Sequence, residues 1–125
     1  MNAAKTVLIV DDDKPLVDAV AIELKSAGYR VITAEDGKKG FELSLREKPK
    51  LILLDILMPN LDGLEMLKKL RLHDDKYCNG VPVIILSNLD SEEVIKTAKE
   101  LKCSDFLVKT DTSLSKLVQM IKDKI

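Results

Sequence analysis

Three short, unbroken aliphatic runs constrain this chain more than any other feature: Val7 to Val10, Leu51 to Leu54 and Val83 to Leu86. Each is four residues long and carries no polar residue on either side of the pleat. A strand that faces water on one side alternates apolar with polar residues, so runs without alternation suit strands buried on both faces of a parallel sheet. Val31 to Ala34 and Phe106 to Val108 are weaker runs and are assigned to strands nearer the sheet edges.

Helical patterns fill the intervals. Val17, Val20, Ala21 and Leu24 share one helical face, and Gly28 supplies a C-terminal stop. Phe41, Leu43 and Leu45, with glycines at 37 and 40, make a poorer second helix, and Leu64, Leu67, Leu70 and Arg71 a third. Asp90 or Ser91 can cap a fourth, with Val94, Ile95, Ala98 and Leu101 as its stripe. Thr112 or Ser113 can cap a fifth, in which Leu114, Leu117, Val118, Ile121 and Ile125 follow helical spacing. Five βα units without a linker predict an α/β fold, a doubly wound parallel sheet of five strands with five helices on its two faces. The 125 residues read as one domain. With no Trp and 3% aromatics, its core must be aliphatic.

Composition narrows the function classes. A net charge of −1 with no basic block argues against direct nucleic-acid binding, which needs clustered Lys and Arg. No apolar run approaches the ~18 residues of a membrane helix, and Met1 to Lys5 is too short and polar for a signal peptide. Cys78 and Cys103 match no metal spacing and read as free thiols of a reducing, cytoplasmic setting. His73, between Leu72 and Asp74-Asp75, reads as an exposed loop residue without a role.

The strand ends carry the chemistry. The first run stops at Asp11-Asp12-Asp13, the third strand at Asp55, the fourth at Ser87 and the fifth at Lys109. In open parallel sheets, function gathers at the carboxyl ends of the strands. Crowded carboxylates ~4 Å apart repel by roughly 4 kcal/mol at an effective dielectric near 20, and a hard divalent cation such as Mg²⁺ relieves this. The same cation can neutralise an incoming phosphoryl group, with Lys109 as a second positive charge, Ser87 as a hydroxyl donor and Asp55 as the carboxylate nucleophile.

These residues carry a resemblance. Val10-Asp11-Asp12-Asp13 resembles the acidic opening of response-regulator receiver domains, and Asp55-Ile56-Leu57-Met58-Pro59-Asn60-Leu61-Asp62-Gly63 resembles their D-x-x-M-P-x-x-D-G signature. Ser87 and Lys109 match the family's hydroxyl and lysine positions, and the resemblance runs from Lys5 to Ile125. It implies a flavodoxin-like strand order, 2-1-3-4-5, in a single receiver domain spanning residues 1–125 with no output domain. It implies Asp55 as phosphoacceptor in two-component signalling, with Ser87 and Lys109 assisting. The implied Mg²⁺ ligands are Asp12 directly, Asp11 largely through water, Asp55, and the backbone carbonyl of Leu57. Ser87 and Phe106 become the switch pair, altering the face of the fourth helix, fifth strand and fifth helix (roughly residues 91 to 125).

The implied partners are a histidine kinase or His phosphotransfer protein, docking near Leu16 and Ala19, and an output protein. The implied oligomeric state is a monomer or a phosphorylation-dependent dimer. The domain would act on its own phosphorylation and dephosphorylation and would not be a conventional enzyme.

The chain departs from the family pattern in four places. Thr110 follows Lys109 where receivers commonly have a cis proline; a cis bond without proline costs about 2.5–4 kcal/mol, so a trans bond is expected. Leu57 and Leu89 are apolar and cannot orient an attacking water, which predicts slow self-dephosphorylation. Asn88 is larger than the Ala or Gly common after the hydroxyl residue and would narrow access.

The competing readings are weaker. In a haloacid-dehalogenase-like phosphatase the acidic motif would run D-x-D-x-T/V, which Asp11-Asp12-Asp13-Lys14-Pro15 fits poorly. A pseudo-receiver that signals without phosphate would not need Asp12, Asp55, Ser87 and Lys109 together. A flavin carrier would need a phosphate-cradling loop after the first strand. Asp13 alone reads as a helix-start residue and Asp62 as a turn or cap.

Overall fold

The computed structural model describes residues 4–125; residues 1–3, part of the N-terminal stretch considered above, lie outside it. Strands β1 (Thr6–Val10), β2 (Arg30–Ala34), β3 (Leu51–Leu54), β4 (Val83–Ser87) and β5 (Asp105–Val108) form one parallel sheet in the order β2-β1-β3-β4-β5. The three unbroken aliphatic runs are its central strands, and the two weaker runs are its edges. Because successive side chains point to opposite faces, each central strand feeds two cores. Leu8, Val10, Ile52, Leu54, Val83 and Ile85 pack on one face, and Val7, Ile9, Leu51, Leu53, Ile84 and Leu86 on the other.

Helices α1 (Lys14–Ser26) and α6 (Leu114–Lys124) cover the second face. Helices α2 (Gly37–Glu47), α3 (Gly63–Leu72), the short α4 (Lys76–Gly80) and α5 (Glu92–Glu100) lie on the first. Among the described residues there are thus six α-helices, one more than the spacing predicts. The addition, α4, is five residues long, too short to show a periodic stripe, and Asp75 caps it by accepting the Tyr77 N–H at 2.9 Å. The fourth and fifth helices of the sequence reading are therefore α5 and α6. Among the described residues no helix is long and apolar enough to cross a membrane.

The stops and starts follow local chemistry. Beyond α1, Gly28 takes φ +94°, a conformation that favours glycine. Gly28 and Tyr29 then donate to the carbonyls of Lys25 and Leu24, at 3.0 Å each, satisfying two carbonyls at the helix end. Asp13, Asp36, Asp62, Ser91 and Ser113 cap α1, α2, α3, α5 and α6. Of the alternatives the sequence leaves open, Ser91 and Ser113 are the caps.

The glycines of α2 have a packing role. A Cβ on Gly40 would stand 2.9 Å from Met66 Sδ and from both Val10 methyls, and one on Gly37 would stand 2.2 Å from the Leu61 carbonyl oxygen. The helix that reads as poor from composition is one that must approach β1 and the β3–α3 loop closely.

Two polar side chains depart from simple surface roles. His73 is half-buried, not exposed as its loop sequence suggests; its Nδ1 accepts the Asp75 N–H at 3.2 Å and its ring meets Phe41 edge-on. Arg71 buries its guanidinium among backbone carbonyls, donating to Cys78 (2.8 Å), Val81 (3.0 Å), Leu101 (3.0 Å) and Lys102 (2.9 Å). Among the described residues no carboxylate pairs with it, and burial draws its pKa down. Cys78 is buried, Cys103 is half-buried, and both thiols are free.

Candidate functional site

The sheet register brings the strand-end residues together. Val10 pairs with Leu54 and with Ala34, so the residues one step further, Asp11 and Asp55, leave neighbouring strands side by side. Their backbones continue the ladder: Asp11 N donates to Ala34 O at 3.0 Å and Asp55 N to Val10 O at 2.9 Å. Both carboxylates are nearly sealed from water, at 6% exposure each, whereas Asp12 is exposed. One oxygen from each of Asp11, Asp12 and Asp55 lies within 4.8 Å of the others.

Lys109 completes the cluster. It follows Val108, which pairs with Ser87 at the end of β4. Its ammonium lies 3.0 Å from Asp11 Oδ2, 3.2 Å from Asp55 Oδ2 and 3.8 Å from Asp13 Oδ2. Asp55 Oδ1 accepts the Ile56 N–H at 2.7 Å, and Asp11 Oδ1 accepts the Asp13 N–H at 2.9 Å.

The electrostatics follow from this packing. Burial, with the nearby charge of Asp55, pushes the Asp11 carboxyl up to about 6, against the lowering effect of the Asp13 N–H and Lys109. Burial alone would lower the Lys109 pKa, but its bonds to Asp11 and Asp55 reverse that and hold it above the usual lysine value. A single ammonium thus offsets part of the charge of three acids, Asp11, Asp13 and Asp55, with Asp12 close beside them.

A hard, oxygen-preferring divalent cation fits this donor set: three carboxylates at close range, one of them open to solvent, with too little positive charge of their own. Leu57, whose backbone carbonyl the family resemblance implicates, lies in the loop after β3 with its side chain 61% exposed. A cleft of about 250 Å³ between α1 and β2 opens beside Asp11 and Asp12.

The remaining residues take these places. Ser87 is buried, and its Oγ accepts the Leu89 N–H at 3.1 Å. Phe106, opposite Ile85 in the ladder, is half-buried against the first core. Leu16 and Ala19 are half-buried on α1, and Leu16 lines a second cleft of about 240 Å³ with Lys109, Thr110 and Leu114. There are no cis peptide bonds among the described residues, so Lys109–Thr110 is trans, as expected for a bond without proline.

Two features go beyond the sequence reading. Asp13 caps α1 and also stands near Lys109. The Asn88 side-chain oxygen accepts the Thr110 N–H at 3.1 Å, tying two strand-end loops together. Residue size suggested only that Asn88 narrows access; the signal for the bond is the missing proline, since only a residue with an N–H at position 110 can donate.

The family model for the response regulator receiver domain matches residues 7–122. Among solved structures, the chemotaxis protein CheY4 of Vibrio cholerae is 27% identical, with 98% of this chain and 100% of that one covered and a TM-score of 0.86. A CheY-like receiver domain protein of Methanospirillum hungatei is 28% identical, covering 98% and 94%, at a TM-score of 0.88. The receiver domain of the Francisella response regulator 1452 is 32% identical, covering 96% and 95%, at a TM-score of 0.83.

Proposed function

Because the chain belongs to the response regulator receiver domain family, a family of two-component signalling domains, we propose that it is a phosphorylation-controlled switch whose phosphoacceptor is Asp55. The observation that carries this reading is the meeting of Asp55 with Asp11, Asp12 and Lys109 at one sheet edge, its carboxylate 3.2 Å from the ammonium.

Asp11, Asp12, Asp55 and the Leu57 carbonyl would hold Mg²⁺, which when bound neutralises the carboxylates and the oxygens of an incoming phosphoryl group. Asp55 supplies the attacking oxygen: a bond to phosphorus forms, the bond to the donor's histidine nitrogen breaks, and that imidazole takes up a proton. Lys109, on a flexible stem, follows the negative charge from Asp55 onto a phosphoryl oxygen. Ser87 already accepts the Leu89 N–H, so its own proton is left to donate to a phosphoryl oxygen. With that donation Phe106 would turn inward, and the α5–β5–α6 face would become the surface an output protein reads.

The donor is a histidine kinase or His phosphotransfer protein, seated over the cleft beside Leu16 and Lys109, and the setting is the cytoplasm. The domain serves signalling and not turnover of a free substrate. Family membership displaces the haloacid-dehalogenase and flavin-carrier alternatives, and Asp13, the second acid such a phosphatase would need, is the cap of α1.

Intact-mass measurement after incubation with acetyl phosphate tests the reading. One added phosphoryl group that requires both Mg²⁺ and Asp55, and is absent in Asp55→Ala, is the expected result. No adduct in a protein shown to bind Mg²⁺ would favour a receiver that signals without phosphate.

A further inference from the structure

Lys109 reaches the acids from a turn that is not built around proline. Residues Lys109–Asp111 form a single 3₁₀ turn. At its far end the Thr112 hydroxyl donates to Val108 O at 2.8 Å, and Thr112 N donates to Lys109 O at 3.3 Å. Its middle is held from outside by the Asn88 amide oxygen, which accepts the Thr110 N–H at 3.1 Å. Asn88 directly follows Ser87, whose ladder partner is Val108, so the bond bridges the exits of β4 and β5 immediately beyond the paired residues. Asn88 and Thr110 are both exposed, and neither is part of a core cluster.

We propose that Asn88 is the positioning residue for Lys109: its amide oxygen fixes the 109–111 turn so that the ammonium spans Asp11 and Asp55. This rests on the phosphoacceptor reading for its effect on phosphoryl transfer, but not for the placement itself. An N–H at position 110 and an acceptor at position 88 form one device, which a proline at 110 or an alanine at 88 would each remove. The same bond links the Ser87 loop to the Lys109 loop, so the two groups that would hold the phosphoryl oxygens keep a common spacing. Asn88 acts through Lys109 and does not itself touch the acids.

Two measurements test it. The first is the rate of phosphoryl uptake from acetyl phosphate in wild type, Asn88→Ala, Asn88→Asp, Lys109→Ala and the Asn88→Ala/Lys109→Ala double variant. Asn88→Ala is expected to slow uptake about five-fold, the worth of one ordinary hydrogen bond. Asn88→Asp, which keeps an acceptor oxygen at the same reach, should recover most of the rate. In the Lys109→Ala background Asn88→Ala should change nothing further. An equal slowing in both backgrounds would overturn the proposal, because Asn88 would then act independently of Lys109.

The second is the crystallographic distance from Lys109 Nζ to Asp55 Oδ2 in metal-free wild type and Asn88→Ala, expected to lengthen in the variant. An unchanged distance overturns the proposal. If wild type takes up no phosphoryl group, the phosphoacceptor reading fails, and this distance still decides whether Asn88 places Lys109.

Discussion

The ammonium of Lys109 lies 3.0 Å from the Asp11 carboxylate although two strands, β3 and β4, separate the strands that carry them. At ~4.8 Å per strand the backbones are roughly 14 Å apart, so the lysine stretches across the sheet edge and passes Asp55 on the way. Removing it strands two buried carboxylates. Lys109→Ala is therefore expected to destabilise the metal-free protein by on the order of 1–3 kcal/mol near neutral pH, read from urea unfolding in EDTA. Saturating Mg²⁺ should shrink the deficit. Equal stability of variant and wild type in EDTA would mean that the pair contributes nothing.

Asp11 makes stability depend on pH in a direction opposite to that of an ordinary salt-bridged acid. Burial pushes its carboxyl up to about 6 in the fold, against 3.8 in an unfolded chain. Between those values the folded chain holds a proton that the unfolded chain has released, so stability falls as pH rises from about 4 to 6. The full loss, at most about 3 kcal/mol at 1.36 kcal/mol per unit, is present above pH 6 and absent below pH 4. Asp11→Asn should remove this slope. Parallel pH curves for variant and wild type in EDTA would show that Lys109 keeps Asp11 ionised throughout.

Asp12 shares the acidic cluster, but among the described residues it has no ion-pair partner. Asp12→Ala should raise the melting temperature without metal by removing one like charge. It should also weaken the stabilisation by Mg²⁺, which for wild type approaches about 2.7 kcal/mol at a hundred-fold excess over Kd. Thermal melts with and without Mg²⁺ on both proteins decide this, and an unchanged or lower metal-free melt would show that the acids are not crowded.

Gly63 backs directly onto the site. A Cβ there would lie 2.0 Å from the Asp55 carbonyl oxygen, while one on Gly80 would meet nothing within 4 Å. Gly63→Ala is expected to lose about 1–3 kcal/mol, or more, through displaced backbone. Gly80→Ala, at the end of α4, should be neutral or gain up to about 1 kcal/mol. Denaturant midpoints for the two variants give the comparison.

On the phosphoacceptor reading, Leu57 and Leu89 offer no side-chain group that could hold a water for attack on a phosphoryl group at Asp55. Label on Asp55 should therefore be lost slowly, and Leu57→Gln, at a position 61% exposed, should speed the loss several-fold. Phosphate release from the purified phosphoprotein measures both. Rapid release from wild type would contradict the expectation.

Legibility in the sequence followed the size of the physical signal. Unbroken runs such as Leu51 to Leu54 announce double-sided burial, and the polar residue after each run is brought to one edge simply because parallel strands end together. The short α4 leaves no such trace: one and a half turns cannot show a period, and its cap at Asp75 is one acid among many. Gly37 and Gly40 lower helix propensity, and only the placement of Leu61, Val10 and Met66 reveals why they are there. The bond from Asn88 to Thr110 joins residues 22 apart and depends on the exits of two strands, which no local pattern encodes.

Arg71 divides α5 into two mechanically different ends. Its guanidinium grips the carbonyls of Leu101 and Lys102 just past the helix, and by its other donors it is anchored to Cys78 and Val81. The opposite end begins at Ser91, only four residues after Ser87, with no comparable clamp among the described residues. The helix is therefore tied down unevenly: beyond its last turn two carbonyls are bonded to a buried guanidinium, while its first turn, on the side of Ser87, begins from the Ser91 cap.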